Sequence, residues 1–275
     1  MPRVDVLVEG LDHVECVIWG EDGYLYAGGE AGQIYRVDVV QQNYVQIAST
    51  GGAVLGMAID GAGNIYACDR EQRIVARVTP DGGVSRFATG TSQRPFTFPN
   101  YPVFDPVGNL YVSDSGEWDN PSGCIFRIAP GGEATVWSTS VPHFTNGLAL
   151  EPTSGELYVV ESTHPRVSKI PIRLDGSAGV RETVVELPGA VPDGLAFDQE
   201  GRLYIACYRP DRIYRLDPDG RLHVFADDPQ GTLLGAPTNV CFGGPKLKSL
   251  FVANLGRWHI GRIDVDVPGA KLNHP

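Results

Sequence analysis

The stretch LYAGGEAGQIYRVD, residues 25–38, is the first copy of a phrase that recurs along the whole chain. Each copy reads as an aromatic-rich strand, a polar turn and a second strand with a basic and an aliphatic residue near its end. The other copies are IYACDREQRIVARV (65–78), LYVSDSGEWDNPSGCIFRI (110–128), LYVVESTHPRVSKI (157–170), LYIACYRPDRIYRL (203–216) and LFVANLGRWHIGRI (250–263). They begin 40, 45, 47, 46 and 47 residues apart, an interval typical of one propeller blade of about four strands.

The segments between the copies fit the same architecture. Each of the first five copies follows a turn signal such as EDGY, GAGN or QEGR, and another apolar run precedes that turn. The 34 Gly and 21 Pro residues indicate many short elements joined by tight turns, and no stripe of helical spacing competes with the strands. The sequence predicts an all-β fold, a six-bladed β-propeller with four-stranded antiparallel blades, as a single domain over residues 1–275.

The two ends of the chain predict how the ring closes. RVDVLV, residues 3–8, alternates like a strand, whereas the last copy ends in GRIDVDV with little chain left for an outer strand. We expect the N-terminal strand to complete the last blade, because this pairing removes an open edge.

Composition limits the function classes. With 42% hydrophobic and 20% charged residues the chain can bury a core, and its net charge of −11 argues against nucleic acid and anionic membranes as partners. No apolar run reaches membrane-span length, and MPRVDVLVEG does not resemble a secretion signal. Five widely spaced Cys without a CxxC pair predict free thiols. A cytoplasmic protein is expected, and its oligomeric state is left open.

Aligning the copies separates scaffold from chemistry. Five residues before the phrase, three blades carry Asp60, Asp105 and Asp198. An Asp shared by several blades at a turn is interpreted as a hairpin determinant rather than a ligand.

A second aligned position varies chemically. It lies ten or eleven residues before the phrase and reads Glu15, Leu55, Asn100, Asn146, Asp193 and Asn239. The apolar run that follows each of these residues is predicted to be the innermost strand of its blade. The varying side chains are therefore expected at the mouth of the central channel, either as a polar ring that binds water or as a metal site.

The two carboxylates favour the metal site. Glu15 and Asp193 aimed into one narrow mouth repel each other and resist desolvation, and a bound cation resolves both problems. The candidate ligand atoms at this position are all oxygen, which suits Ca²⁺ best, with Mg²⁺, Mn²⁺, Fe²⁺ and Zn²⁺ as alternatives. Ca²⁺ binds six to eight oxygens, so positions would remain open for water and substrate.

Several of these segments resemble the senescence marker protein/gluconolactonase (regucalcin-like) family. The matching motifs are ECVIW, TNGLAL, VPDGLAFDQEGRLY and the closing PTNVCFGGPKLKSLFVANL, and the resemblance covers essentially the whole chain. It implies a six-bladed propeller with a divalent cation in the channel, held by Glu15, Asn146 and Asp193. Asn100 is the fourth position, also seen in the diisopropylfluorophosphatase branch. Members are mostly lactone hydrolases, with some phosphotriester activity.

The chain departs from the family around the expected pocket. The first ligand is followed by Cys-Val where the family has Gly-Pro. Phe98 replaces an Arg of the sugar-lactone members, and Trp118, with Glu117 adjacent, stands near the place of an acid. Together with Tyr101 and Phe96, these residues predict a more apolar pocket than a polyhydroxylated lactone requires. The predicted substrate-binding residues are Tyr101, Phe98, Trp118, Glu117, His143 and Asn239.

The mechanism implied by this resemblance is hydrolysis of a lactone. The metal would polarise the carbonyl, and Asp193 would activate the attacking water as general base or nucleophile. His143 faces either the mouth or solvent, and Asn239 either orders a ligand water or belongs to the polar ring. The roles of His13, Glu161 and His164 are left open.

Three other functions compete with this hypothesis. A propeller can be a pure interaction platform, which predicts an uncharged channel. A metal-free enzyme of the strictosidine-synthase-like kind would not need Glu15 and Asp193 together at the mouth. A cation-binding protein without turnover would share the metal and show no hydrolysis. The expected partner is a small lactone or ester.

Overall fold

The predicted six-bladed β-propeller is confirmed. The computed structural model describes residues 1–275 and contains six four-stranded antiparallel sheets, each forming one blade. Within blades 1 to 5 the strands run outward from the channel in sequence order. The only helices are two 3₁₀ turns, Pro245–Leu247 and Leu255–Arg257, and no helix is long and apolar enough to cross a membrane.

The strands are short and follow the repeat. The N-terminal strand is β1 (Asp5–Glu9). Blade 1 contains β2 (Cys16–Trp19), β3 (Leu25–Gly28), β4 (Gln33–Asp38) and β5 (Asn43–Ser49). Blade 2 contains β6 (Val54–Ile59), β7 (Ile65–Asp69), β8 (Ile74–Val78) and β9 (Val84–Ala88). Blade 3 contains β10 (Pro99–Phe104), β11 (Leu110–Asp114), β12 (Cys124–Ile128) and β13 (Ala134–Ser138).

The remaining blades have the same layout. Blade 4 contains β14 (Thr145–Leu150), β15 (Leu157–Glu161), β16 (Arg166–Ile170) and β17 (Glu182–Glu186). Blade 5 contains β18 (Val191–Phe197), β19 (Leu203–Arg209), β20 (Arg212–Leu216) and β21 (Leu222–Asp227). Blade 6 contains β22 (Pro237–Gly243), β23 (Ser249–Asn254) and β24 (His259–Asp264), and β1 is its outer strand.

The ring closes as the sequence predicts. Strand β1 pairs antiparallel with β24, so the outer strand of the last blade comes from the other end of the chain. The inner strands add two links: Val17 N donates to Asn239 Oδ1 at 3.2 Å, and Thr238 Oγ1 donates to Glu15 O at 2.8 Å. Blades 1 and 6 therefore join at both the rim and the channel.

Burial falls from the channel to the rim. Every residue of β6 and β22 is buried, whereas most of β5 and β9 is exposed or half-buried. The inner strands pack on neighbours from both sides, which explains why they read as continuous apolar runs. All five Cys are buried and free, as expected.

The aromatic residue of the repeated phrase joins one blade to the next. The ring pairs Tyr66–Phe104, Tyr158–Phe197 and Tyr204–Phe242 lie 5.0–5.1 Å apart in edge-to-face geometry, each linking a second strand to the following inner strand. Such pairs add about 0.5–1.5 kcal/mol beyond the area they bury. The recurring aromatic is thus a packing element between blades.

The shared aspartates are hairpin determinants, as interpreted from the sequence. Asp105 Oδ1 accepts hydrogen bonds from Val107 N at 3.0 Å and Asn109 N at 2.8 Å, inside its own turn. Asp60 and Asp198 hold the equivalent turns in the same way.

Glycines let the inner strands approach each other. A Cβ on Gly147 would overlap the backbone oxygen of Asp193 in the neighbouring blade. A Cβ on Gly194 would lie 2.6 Å from Asn239 Nδ2. Each glycine directly follows a residue of the varying position, so the close approach brings those side chains together.

The end of the chain crosses the channel opposite the mouth, which the sequence did not indicate. Ala270 N donates to Phe197 O at 2.9 Å, Asn273 Nδ2 to Phe104 O at 2.9 Å, and His274 Nδ1 contacts Ile59 O at 2.8 Å. This closing segment, residues 269–275, covers a cavity of about 70 Å³ lined mostly by apolar side chains of the inner strands.

Gly147→Ala should destabilise the protein by about 1–3 kcal/mol, because the added methyl forces two inner strands apart. The measurement is the free energy of unfolding in denaturant. Gly256→Ala is the control, since its Cβ would lie 3.3 Å from Gly235 O, a tight contact that a shift of a few tenths of an ångström relieves. Equal stability of the two variants would contradict the close-approach argument.

Candidate active site

The residues predicted as metal ligands lie at the start of inner strands. Glu15 directly precedes β2, and Asn100, Asn146 and Asp193 are the second or third residues of β10, β14 and β18. They belong to blades 1, 3, 4 and 5, which converge on the channel mouth. Glu15 lies close enough to Asp193 to raise the pKa of that carboxyl by electrostatic repulsion.

Two serines fix the orientation of the amides. Ser115 Oγ donates to Thr145 O of the next blade at 2.8 Å and therefore accepts from Asn100 Nδ2 at 3.0 Å. Ser162 Oγ likewise donates to Pro192 O at 2.7 Å.

The second serine acts on Asn146, whose Nδ2 donates to Ser162 Oγ at 3.1 Å. Because a hydroxyl has a single proton, each serine turns the amide nitrogen towards itself, which leaves the Oδ1 atom of each Asn available to the channel.

Two buried oxygen atoms at the mouth have no hydrogen-bond partner. They are Glu15 Oε2 and Asn146 Oδ1. An unpaired buried oxygen costs roughly 1–3 kcal/mol, and more if it is charged, so two at one site call for a ligand that supplies positive charge. These orphaned oxygens fit a cation.

The electrostatics of the carboxylates agree with this. Burial raises the pKa of Glu15 from 4.5 to about 7, and the positive charge of Arg70 only partly opposes that shift. Burial, followed by repulsion from Glu15, raises the pKa of Asp193 well above its usual value, which the Asn146 side chain partly offsets. Without a counter-charge the site resists carrying two negative charges.

The donor set is all oxygen. No group of three or more His, Cys, Asp or Glu side chains is arranged as a metal site anywhere in the protein. A cation at the mouth therefore depends on the two amide oxygens as well as the two carboxylates, and this chemistry suits Ca²⁺ better than a soft metal.

Asn239 and Tyr101 are the predicted substrate contacts that lie inside the channel. Asn239 is only 2% exposed, and its Oδ1 already accepts from Val17 N at 3.2 Å. Tyr101 reaches across the channel from blade 3, so its hydroxyl lies near Asn239 and Asp193, and its side chain also lines the cavity under the closing segment. These two residues form the floor of the site.

The other predicted substrate contacts lie on the rim of the mouth. Phe98 and Trp118 both contact Phe144, at ring distances of 5.4 and 4.7 Å. Glu117 is exposed, and its Oε2 accepts from Asn120 at 3.3 Å within its own loop. The ring of His143 lies 5.1 Å from that of His164.

Glu161 and His13, whose roles were left open, lie in different surroundings. Glu161 is fully buried and accepts a hydrogen bond from Arg166 Nε at 2.5 Å, so its carboxylate is paired within blade 4. His13 lies at the rim, with its Nδ1 2.9 Å from Asp12 Oδ1 and its ring 4.5 Å from Trp258. Phe96, expected near the pocket, is instead packed on Phe126 in the core.

Three residues of the candidate site escaped the sequence analysis: Ser115, Ser162 and Phe144. A signal for the serines existed, because they occupy the sixth position of the phrase in the two blades that carry a predicted ligand Asn. No sequence signal pointed to Phe144, because its place in the site depends on a backbone φ of 56° and on contacts with two other loops.

Comparison with known proteins identifies the family and the fold. Residues 14–255 match the profile of the SMP-30/gluconolactonase/LRE-like region. Regucalcin of Xenopus laevis is 26% identical over 224 residues, covering 76% of this chain and 68% of that protein. The 6-deoxy-6-sulfogluconolactonase of Pseudomonas putida is 25% identical over 260 residues, covering 87% and 82%.

A solved structure shares the fold. Regucalcin of Agrobacterium tumefaciens, described as a calcium-binding protein, aligns with a TM-score of 0.82 at 18% identity. The alignment covers 98% of this chain and 96% of that one.

The metal-free protein should lose stability as pH rises from below 4.5 to above about 7. The folded state holds protons on the buried carboxyls that the unfolded chain has already released, so folding becomes less favourable as pH rises. Unfolding free energies in chelator at about pH 5 and about pH 8 measure this effect. The double variant Glu15→Gln/Asp193→Asn should show a smaller loss of stability with pH. If its unfolding free energy changed with pH as much as that of the wild type, these two carboxyls would not be the groups responsible.

Ser162→Ala should weaken divalent-cation binding by about 10-fold or more, because the Asn146 amide loses the contact that orients it. Calorimetric titration with Ca²⁺ measures the affinity. Ser154→Ala, in an exposed turn of the same blade, is the matched control and should bind as the wild type does. Equal affinities in both variants would show that the serine does not position the ligand.

Proposed function

This chain belongs to the SMP-30/gluconolactonase/LRE-like family, and we propose that it hydrolyses a lactone with the help of one divalent cation held at the channel mouth. It is a lactonase-type hydrolase, in keeping with a relative named as a 6-deoxy-6-sulfogluconolactonase. The finer proposal concerns the metal, its ligands and the role of Asp193.

One observation carries the metal proposal. Glu15 Oε2 and Asn146 Oδ1 are buried without a partner at a site that also holds Asp193. Glu15, Asn100, Asn146 and Asp193 would hold the ion, with Ca²⁺ the best match to four oxygen donors. A relative described as calcium-binding supports this choice. When bound, the ion would polarise the lactone carbonyl and stabilise negative charge on its oxygen.

The protein's own residues account for the proton transfers. A water molecule adds to the carbonyl carbon while Asp193 takes its proton, and the ring C–O bond then breaks. The proton passes to the departing alkoxide, so the product is an open-chain hydroxy acid. Asp193 suits the role because it is desolvated and lies beside the Asn146 side chain. Glu15 acts only as a ligand.

The remaining side chains hold the geometry. Ser115 and Ser162 keep the amide oxygens of the two asparagines turned to the channel. Tyr101, above the apolar cavity, forms a floor that limits water on that side of the site.

The metal content of the purified protein and its hydrolysis of a lactone panel test the proposal together. The wild type should hold about one divalent ion per chain and lose activity on chelation. Asp193→Asn should lower kcat by at least about 100-fold while the protein stays folded. Asp219→Asn makes the same chemical change on an exposed turn and should behave as the wild type does.

The outcomes separate the competing functions. Metal without hydrolysis of any lactone would leave a non-catalytic cation-binding propeller. Hydrolysis without metal would favour the metal-free propeller enzymes. Normal turnover by Asp193→Asn would show that another group activates the water.

A further inference from the structure

Three aromatic rings form a continuous surface at the channel mouth. Phe144 lies between the other two, 5.4 Å from Phe98 and 4.7 Å from Trp118, measured between ring centroids. They come from three separate segments: the loop before β10, the loop after β11 and the residue before β14. We call Phe98, Trp118 and Phe144 the mouth aromatic cluster.

The cluster is not part of the folding core. None of its members belongs to the six buried hydrophobic clusters. Trp118 is 49% exposed, whereas the aromatic rings between blades, such as Tyr204, are almost fully buried. Phe98 and Phe144 are half-buried, and adjoining aromatic rings that stay partly exposed are typical of a binding surface.

The backbone at Phe144 supports the same interpretation. Its φ of 56° lies in the left-handed region, which is unfavourable for a bulky residue and costs on the order of 1 kcal/mol or more. Ser162 N donates to Phe144 O at 3.2 Å, so the serine that orients a ligand amide also fixes this residue. The strained conformation presents the ring to the cluster.

Two members of the cluster lie next to the proposed metal ligands along the chain. Phe98 is two residues before Asn100, and Phe144 is two residues before Asn146. The guanidinium of Arg70 lies 5.8 Å from the centre of the Phe98 ring and borders the cluster on the blade 2 side. A lactone whose carbonyl reached the metal position would therefore place its ring substituent against aromatic faces.

We propose that the substrate is a lactone with an apolar substituent, alkyl or aryl, that packs on the mouth aromatic cluster; this inference rests on the proposed lactone hydrolysis. The three adjacent rings carry a single hydrogen-bonding group, the indole N–H of Trp118, which cannot replace the many hydrogen bonds that a polyhydroxylated lactone makes with water, so such a substrate would be disfavoured. An alkyl chain gains about 0.8 kcal/mol for each buried CH₂, or roughly fourfold in kcat/KM.

The test compares kcat/KM for γ-butyrolactone, its 4-butyl and 4-hexyl derivatives, and gluconolactone. In the wild type, kcat/KM for the 4-hexyl lactone should be at least about 10-fold higher than for γ-butyrolactone. It should also be higher than kcat/KM for gluconolactone. Trp118→Ala and Phe144→Ala should each lower the hexyl-to-unsubstituted ratio by about 3- to 10-fold. Trp258→Ala is the matched control, since Trp258 is 47% exposed and contacts His13 instead of the cluster.

The outcomes distinguish the two proposals. Hydrolysis of none of the four lactones would overturn the proposed function. Hydrolysis with a preference for gluconolactone, or a chain-length dependence that survives in the Trp118→Ala/Phe144→Ala double variant, would overturn the apolar substrate class and leave the function standing. A ratio lowered equally by Trp258→Ala would also overturn the role of the cluster.

Discussion

Six inner strands approach one axis so closely that, from blade 4 to blade 6, backbone lies against backbone. This constraint excludes any side chain at Gly147 and Gly194 and places the preceding residues, Asn146 and Asp193, next to each other at the mouth. Other contacts in the molecule maintain this close packing of the inner strands. Aromatic pairs hold the blades at a fixed spacing, and the strand exchange between the two chain ends keeps the ring from opening.

The bonds that hold the blades together also prepare the site. Ser115 and Ser162 each connect an inner-strand asparagine to the backbone of the following blade, so the orientation of an amide and the cohesion of two blades depend on one hydroxyl. The same site lowers the stability of the fold, because Glu15 and Asp193 are buried together and repel each other when charged. The scaffold around the site must therefore offset the cost of burying the two carboxylates.

Much of the fold and of the candidate site could be predicted from the sequence, because each propeller blade repeats the same sequence pattern. The phrase fixed the number of blades, and its register identified the strand starts that point at the channel. What a repeat does not encode was missed. Asn239 occupies the same register as the ligands, yet the closure of the ring gives its oxygen to Val17. The left-handed backbone of Phe144 runs against residue preference, and the closing segment has no counterpart in other blades.

The closing segment limits how small molecules can enter and leave the channel. Residues 269–275 cover the end opposite the mouth, and Tyr101 spans the passage between the two. With one end shut, a molecule that enters at the mouth leaves by the same route, past the aromatic cluster. A hydroxy acid waiting to leave would occupy the position that the next lactone needs, so inhibition by product would be competitive and turnover would slow as product accumulates.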